Sequence, residues 1–182
     1  MIIKRYLSRF IASGMRILDM GTGPYGVISL CINHQCPGCL ITGADQCPEL
    51  VNNALLQNHA NNINFIVSDL FGSIDGKFDL IIFNAPYIGQ RKGKGFGITE
   101  SPLAEKRWQG GENGFETIER FLAASPEYLK ANGIILLGVN HFYLSSASMF
   151  RIIEASRLQM VTSYKNNITQ SALYVLREKQ NE

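Results

Sequence analysis

No apolar run among these 182 residues approaches the ~18 residues that a membrane-spanning helix needs, so no span and no membrane role are expected. Cysteine is scarce: Cys31, Cys36, Cys39 and Cys47 are all there is, and only Cys36 and Cys39 form a CxxC. Without a second such pair the usual zinc spacing is missing, and Pro37-Gly38 between the two reads as a turn carrying reduced thiols. No metal site is therefore expected, and reduced thiols suit a cytoplasmic protein. An excess of one charge is lacking too. Seventeen Lys and Arg against fifteen Asp and Glu leave +2, too little by itself to argue for nucleic acid. Repeats, low-complexity tracts and linker-like stretches are absent, so residues 1–182 read as a single domain large enough to bury its own core.

What is present is patterned. The opening "MIIKRYLSRFIAS" sets Lys4, Arg5 and Arg9 beside an apolar stripe and contains no acid. Organelle presequences share that pattern, but a strand follows within a few residues, which favours an amphipathic helix packed on a sheet. Strands are expected at 15–20, 40–45, 63–67, 78–83, 134–139, 158–164 and 172–176. Helices are expected at 24–34, 48–60, 115–129 with a kink or restart at Pro126, and 145–156. Alternating strands and helices imply an α/β fold, a mostly parallel sheet of seven strands with helices on both faces. The last two strands are joined only by the polar "KNNITQ", so they make a C-terminal antiparallel hairpin.

The first strand runs into Gly21-Thr22-Gly23-Pro24-Tyr25-Gly26, a GxGxxG, and Asp45 closes the second strand at roughly the 20-residue spacing of a dinucleotide fingerprint. The glycines alone do not separate the pyrophosphate of NAD from other adenosine-bearing ligands. Asp19 does: a carboxylate just before the turn repels phosphate and suits an ammonium or sulfonium. Pro24, expected in the first helical turn, withholds an N–H that phosphate would use, although proline is common there for structural reasons. Ligands of open α/β sheets sit beyond the carboxyl ends of the strands. Asp45 can accept from both ribose hydroxyls, and Asp69 from an adenine amino group, with Leu70 packed on the ring. Singly, each acid reads as a cap or turn residue. Adenine, ribose and a cationic amino-acid tail together describe S-adenosylmethionine, whose demethylated product is S-adenosylhomocysteine.

The stretches "DMGTGPYG", "GADQCPELVNNALLQN", "NFIVSDLF", "FDLIIFNAPYI" and "GGENGFETIERFLAASPEYLKANGIILLGVN" carry a family likeness. From about residue 17 to 140 the chain resembles the class I S-adenosylmethionine-dependent methyltransferases. Within them it is similar to the HemK-type protein-glutamine N5-methyltransferases and their adenine- and guanine-N-methylating relatives. The resemblance implies a Rossmann-like sheet and a cofactor loop of Asp19, Gly21, Thr22 and Gly23. It implies a ribose clamp at Asp45 with Gln46 beside it, and adenine contacts from Asp69 and Leu70. Asn84-Ala85-Pro86-Tyr87 matches the catalytic Asn-Pro-Pro-Tyr, with Asn84 also touching the cofactor. Bacterial release-factor enzymes of this type carry a helical recognition domain ahead of the catalytic one, where this sequence has about one helix. Shorter relatives act with a small zinc-containing activator subunit that pairs along a sheet edge. In the family's strand order Ile63–Val67 is that edge, so an activator or dimer partner is expected there.

The four-residue motif has a physical logic. The side-chain oxygen of Asn84 and the backbone carbonyl of Ala85 offer two acceptors to the two hydrogens of a planar –NH₂. The nitrogen is then aimed for in-line attack on a methyl group, with much of the rate coming from orientation. Tyr87 would stack on the amide or base plane, and the product sheds its proton afterwards, so no strong base is needed. Ala85 keeps the carbonyl, and Pro86 biases it toward an extended conformation. The stiffness lost with the family's proline is worth about 0.4–1 kcal/mol. The expected enzyme is an S-adenosylmethionine-dependent N-methyltransferase acting on a glutamine amide of a protein. The same chemistry on an exocyclic amine of adenine or guanine in RNA or DNA stays open, as does a non-catalytic S-adenosylmethionine-binding subunit. Residues 89–100, "GQRKGKGFGITE", read as a lid, and His141 as packing.

Overall fold

Runs rich in Ile, Leu, Val and Phe form the sheet, and their alternation decides which side chain meets which helix. The computed structural model describes residues 1–95, 108 and 110–180. Strands β1 (Arg16–Met20), β2 (Leu40–Asp45), β3 (Ile63–Val67), β4 (Phe78–Asn84), β5 (Leu129–Asn140), β6 (Leu158–Asn166) and β7 (Ser171–Glu178) build one sheet, ordered β3-β2-β1-β4-β5-β7-β6. The first five pair in parallel, and β7 runs antiparallel to both β5 and β6. The helices are α1 (Ile2–Tyr6), α2 (Val27–Gln35), α3 (Pro48–Gln57), α4 (Gln90–Gly95), α5 (Glu116–Ala124) and α6 (Ser146–Ala155). The α/β sheet with a terminal hairpin is thus present, and β3 lies at one edge.

Successive strand residues face opposite sides. Leu18, Met20, Ile81 and Phe83 meet Ile118, Phe121 and Leu122 of α5 and Met149 and Ile153 of α6. Ile17, Ile41, Leu80 and Ile82 meet Ile3 of α1 and Ile28 and Ile32 of α2 on the other face. Asp19, one step from Leu18 and Met20, shares the α2 side by the same alternation. Gly43 and Ile82 flank it in the neighbouring strands.

Several boundaries differ from the expectation, each for a local reason. The helix expected at 24–34 begins at Val27, with Gly26 as its N-cap at φ +54°. Pro24 therefore lies in the loop and, contrary to expectation, withholds no N–H of the helix from a phosphate. The amphipathic N-terminus does pack on the sheet, but as α1 followed by a 3-10 turn at Leu7–Arg9, with Ile3 and Leu7 fully buried. The helix expected to run to 129 stops at Ala124, and Pro126 opens a separate 3-10 turn, Ser125–Tyr128. β5 begins five residues before its apolar run, through an irregular stretch with Asn132 at φ +65° and a register shift opposite Phe78. Of the expected lid, Gln90–Gly95 is helical and 96–100 lie outside the described residues. Cys39 is buried, its thiol donating to the Ala12 carbonyl at 3.3 Å; burial, with Cys36 beside it, pushes its pKa up to about 12. Among the described residues no helix is long and apolar enough to cross a membrane, and no cluster of His, Cys, Asp and Glu could hold a metal.

Candidate active site

The carboxyl ends of the central strands open into a cleft of about 480 Å³, within the range of small-molecule sites. The loop after β1 borders it. Gly21 and Gly23 both sit at φ +68°, a region that side-chain-bearing residues rarely adopt, and this lets the chain turn sharply with its backbone bare. Thr22 N donates to the Ala44 carbonyl at 2.9 Å, and Gly23 N to Asp45 Oδ2 at 3.1 Å. Asp45 Oδ1 accepts from Cys47 N at 3.0 Å, so one carboxylate ties the glycine loop to the start of α3.

Asp19 lies behind that loop and does not border the cleft. Its Oδ2 accepts from Ser29 Oγ at 2.7 Å, Thr22 Oγ1 at 2.9 Å and Ser29 N at 3.0 Å. Its Oδ1 is buried with no partner among the described residues. Burial raises its pKa from 3.8 to about 6, against the lowering effect of the Ser29 and Thr22 bonds and with a smaller push from the Asp45 charge.

At the end of β3, Ser68 Oγ donates to the Leu70 carbonyl at 2.7 Å and accepts from Ser73 N at 2.9 Å. Leu70 is held at φ +48°, a strained conformation of the kind that concentrates at binding sites. Asp69 carries an ion pair, its Oδ2 accepting from Arg120 Nη2 at 2.8 Å.

The other half of the cleft is made by the exit from β4. Asn84 is exposed, beside Gly138 of β5. A Cβ at residue 138 would stand 3.0 Å from Asn84 Oδ1, so glycine there leaves the amide room. Ala85 N donates to the Gly138 carbonyl at 3.1 Å, a bond that the family's proline could not make. Tyr87 lies off the cleft, stacked on Tyr143 with centroids 5.8 Å apart. Burial, and then Tyr143, raise its pKa.

Residues 110–114, "GGENG", hold this exit from behind. Ile88 N donates to the Trp108 carbonyl, Gly110 N to the Ile88 carbonyl and Gln90 N to the Gly111 carbonyl. A Cβ on Gly110 would stand 2.6 Å from the Pro86 carbonyl oxygen, and one on Gly114 2.7 Å from that of Tyr87. Glu116 folds back on the loop, accepting from the backbone N–H of Asn113, Gly114 and Phe115 at 2.9, 3.1 and 3.1 Å. Its partial burial alone would raise its pKa; the donors, Asn113 foremost, outweigh that and hold it below the usual carboxylate range.

The cleft thus brings together Gly21, Thr22, Gly23, Asp45, Gln46, Asp69, Leu70, Asn84, Ala85 and Pro86, with Asp19 behind it and Tyr87 outside it. Trp108, Thr117 and Arg120 also border it and were not anticipated. Trp108 is the only tryptophan, two residues before "GGENG", which was the available signal. Thr117 and Arg120 share one face of α5, a spacing that means something only once that helix is known to flank the site. His141 is held structurally. The Leu144 carbonyl, 2.8 Å from Nδ1, can only accept, so Nδ1 carries the proton and Tyr174 OH donates to Nε2 at 3.0 Å.

A family model described as methyltransferase small domain matches residues 4–105. The chain belongs to the methyltransferase small-domain family. It is 33% identical over 121 residues to a Methanocaldococcus jannaschii protein named as a protein N5-glutamine methyltransferase, covering 65% of this chain and 58% of that one. It is 29% identical over 167 residues to the release factor glutamine methyltransferase of Haemophilus influenzae, covering 83% of this chain and 54% of the relative. The chain therefore spans a little over half the length of these curated relatives. Among solved structures it superposes, with a TM-score of 0.70 and 15% identity, on a chain of the complex between the Haloferax volcanii Trm112 methyltransferase activator and a methyltransferase. That match covers 97% of this chain and 88% of that one, and it establishes the fold.

The small-domain residues fit S-adenosylmethionine on three features of the structure. The bare glycine turn leaves backbone to meet a ligand closely, and carboxylates end both β2 and the β3 exit. A buried acid, one of whose oxygens has no partner among the described residues, backs the turn, which suits a cationic ligand and disfavours a pyrophosphate.

Proposed function

We propose that this protein is an S-adenosylmethionine-dependent N-methyltransferase that acts on the side-chain amide of a glutamine in a protein. The observation that carries the reading is the exposed amide of Asn84, which has no hydrogen-bond partner among the described residues yet borders the same cleft as Asp45 and Asp69. An exposed amide at a rigid strand end, with no partner among the described residues, is open to solvent and can exchange water for a ligand's polar groups. The names of the curated relatives support glutamine as the acceptor.

Gly21, Thr22, Gly23, Asp45, Gln46, Asp69 and Leu70 would hold S-adenosylmethionine, with Asp19 balancing its charge from behind the loop. When bound, it supplies a methyl group activated by a positively charged sulfur. Asn84 Oδ1 and the Ala85 carbonyl accept the two hydrogens of the acceptor amide, fixing its plane and aiming its nitrogen. Pro86 keeps residue 85 extended, and Tyr87, braced by Tyr143, steadies the turn. The methylated nitrogen then releases its surplus proton to water.

The β3 edge is the proposed seat of an activator subunit or a second copy. Asn64 and Val67 are exposed along it, and the matched fold from Haloferax volcanii comes from an activator complex. We place the protein in the cytosol, where its cysteines stay reduced, with residues 1–182 working as one catalytic domain. A second reading, methylation of an exocyclic base amine in RNA or DNA, is favoured by Arg91, Lys92 and Lys94 on α4, next to the Asn84 exit.

The test is transfer of tritiated methyl groups from S-adenosylmethionine into a cell extract treated with protease or nuclease. Label lost to protease and retained after nuclease supports the glutamine reading, and the reverse supports the base amine. Calorimetric binding of S-adenosylhomocysteine without transfer to any extract would mark a non-catalytic subunit.

A further inference from the structure

Asp69 and Arg120 lie 51 residues apart in sequence and meet across the border of the cleft, one after β3 and the other on α5. Their side chains are 58% and 60% exposed, and exposed pairs of this kind contribute little to stability. The backbone beneath Asp69 is already fixed. Gly72 N donates to the Asp69 carbonyl at 3.1 Å, and Leu70 is locked in its strained conformation by Ser68. What Arg120 adds is the direction of the carboxylate. It engages Oδ2 only and leaves Oδ1 without a hydrogen bond among the described residues.

We infer that Arg120 is a positioning residue, orienting Asp69 toward the amino group of an adenine and so setting the purine preference of the cleft; this rests on the reading of the cleft as an adenosyl site. A fixed carboxylate accepts from a 6-amino group and repels the lone pairs of a 6-oxo group. A carboxylate free to swing into solvent does both less well. The guanidinium suits this task because its planar fork holds a carboxylate in a defined orientation, where an ammonium acts more as a point charge. Thr117, on the same face of α5 and on the cleft border, makes this helix a wall of the purine side.

The experiment measures binding of S-adenosylhomocysteine and its 6-oxo analogue, S-inosylhomocysteine, to the full chain by calorimetry. The wild type is expected to prefer the amino form at least tenfold, and Asp69→Asn to lose that preference. Arg120→Met, which keeps the length and apolar stem, is expected to shrink it at least threefold, and Arg120→Lys to restore part of it. An unchanged preference in Arg120→Met overturns the inference, even if both affinities fall together as a purely structural defect would make them. A wild type that binds both forms equally overturns the role of Asp69 and this inference, while leaving the methyltransferase reading standing. A wild type that binds neither overturns the adenosyl reading itself, and the inference with it.

Discussion

The two halves of the cleft are built on opposite plans. Around the ends of β1 and β2 the polar groups are buried and tied to one another, with Asp19 at 0% and Asp45 at 8% exposure, each accepting from the loop it supports. At the end of β4 Asn84 stands exposed, with no side-chain hydrogen bond among the described residues, and the order comes from the backbone behind it. The first half is shaped before any ligand arrives, which suits a cofactor of one fixed chemistry. The second presents an acceptor pair on a rigid mount, which suits a substrate that completes the site. The lesson is that pre-organisation here lies in side chains on one side and in main chain on the other.

That contrast can be broken by substitution. Asn84→Ala should lower methyl transfer by about a hundredfold or more, since orientation supplies much of the rate, while S-adenosylhomocysteine affinity stays within about threefold. An active Asn84→Ala protein would refute the division. Asp45→Ala should do the converse, weakening S-adenosylhomocysteine about tenfold or more by removing charge-assisted bonds.

A pH titration sharpens the comparison. With its pKa raised to about 6, Asp19 is ionised above that value and neutral below it. Affinity for a cationic ligand should therefore fall several-fold between pH 7.5 and 5.5 in calorimetry, and Asp19→Asn should flatten the curve. The linked stability has the opposite sign. The folded pKa lies above the unfolded one, so this group favours folding most below pH 3.8 and loses that contribution as pH rises through about 6.

Smaller effects test the backbone mount. Glu116→Ala leaves loop donors without their acceptor and should cost about 1–2 kcal/mol in thermal unfolding, with a lower kcat and unchanged cofactor affinity. Because its folded pKa is lowered, the stability that Glu116 contributes is present above its ordinary value of 4.5 and is lost as pH falls below it. Ala85→Pro should do least. It gains about 0.4–1 kcal/mol of stiffness and loses the bond from Ala85 N to the Gly138 carbonyl, worth a similar ~0.5–1.5 kcal/mol. Transfer within about threefold of wild type would show that the two offset each other.

The first half of the cleft was readable in the sequence, because its residues are local to strand ends. β2 and β3 have the bounds their apolar runs suggest, and Gly21, Gly23, Asp45 and Asp69 reach one cleft. What the sequence does not show is depth and distance. Asp19 looks like a direct ligand in sequence, but strand alternation turns it toward α2 and buries it. Tyr87 looks like a stacking platform, but a ring 56 positions later takes its face. Arg120 depends on how α5 returns to the sheet, which no local pattern encodes, whereas Trp108 had its place just before "GGENG" as the one local signal. The likeness to HemK-type enzymes pointed to "GGENG" without explaining it; the contact of Gly110 and Gly114 with the carbonyls of Pro86 and Tyr87 does.

That contact constrains how such a protein can change its target. Where two main chains touch with no space for a methyl group, mutation has almost no foothold. If the β4 exit holds the acceptor amine as proposed, that mount is frozen, and new targets would be won by altering the surroundings, at Trp108 and along α4. Diversity among kin should gather in those places and spare the paired glycines, a pattern that saturation mutagenesis with selection for transfer would expose.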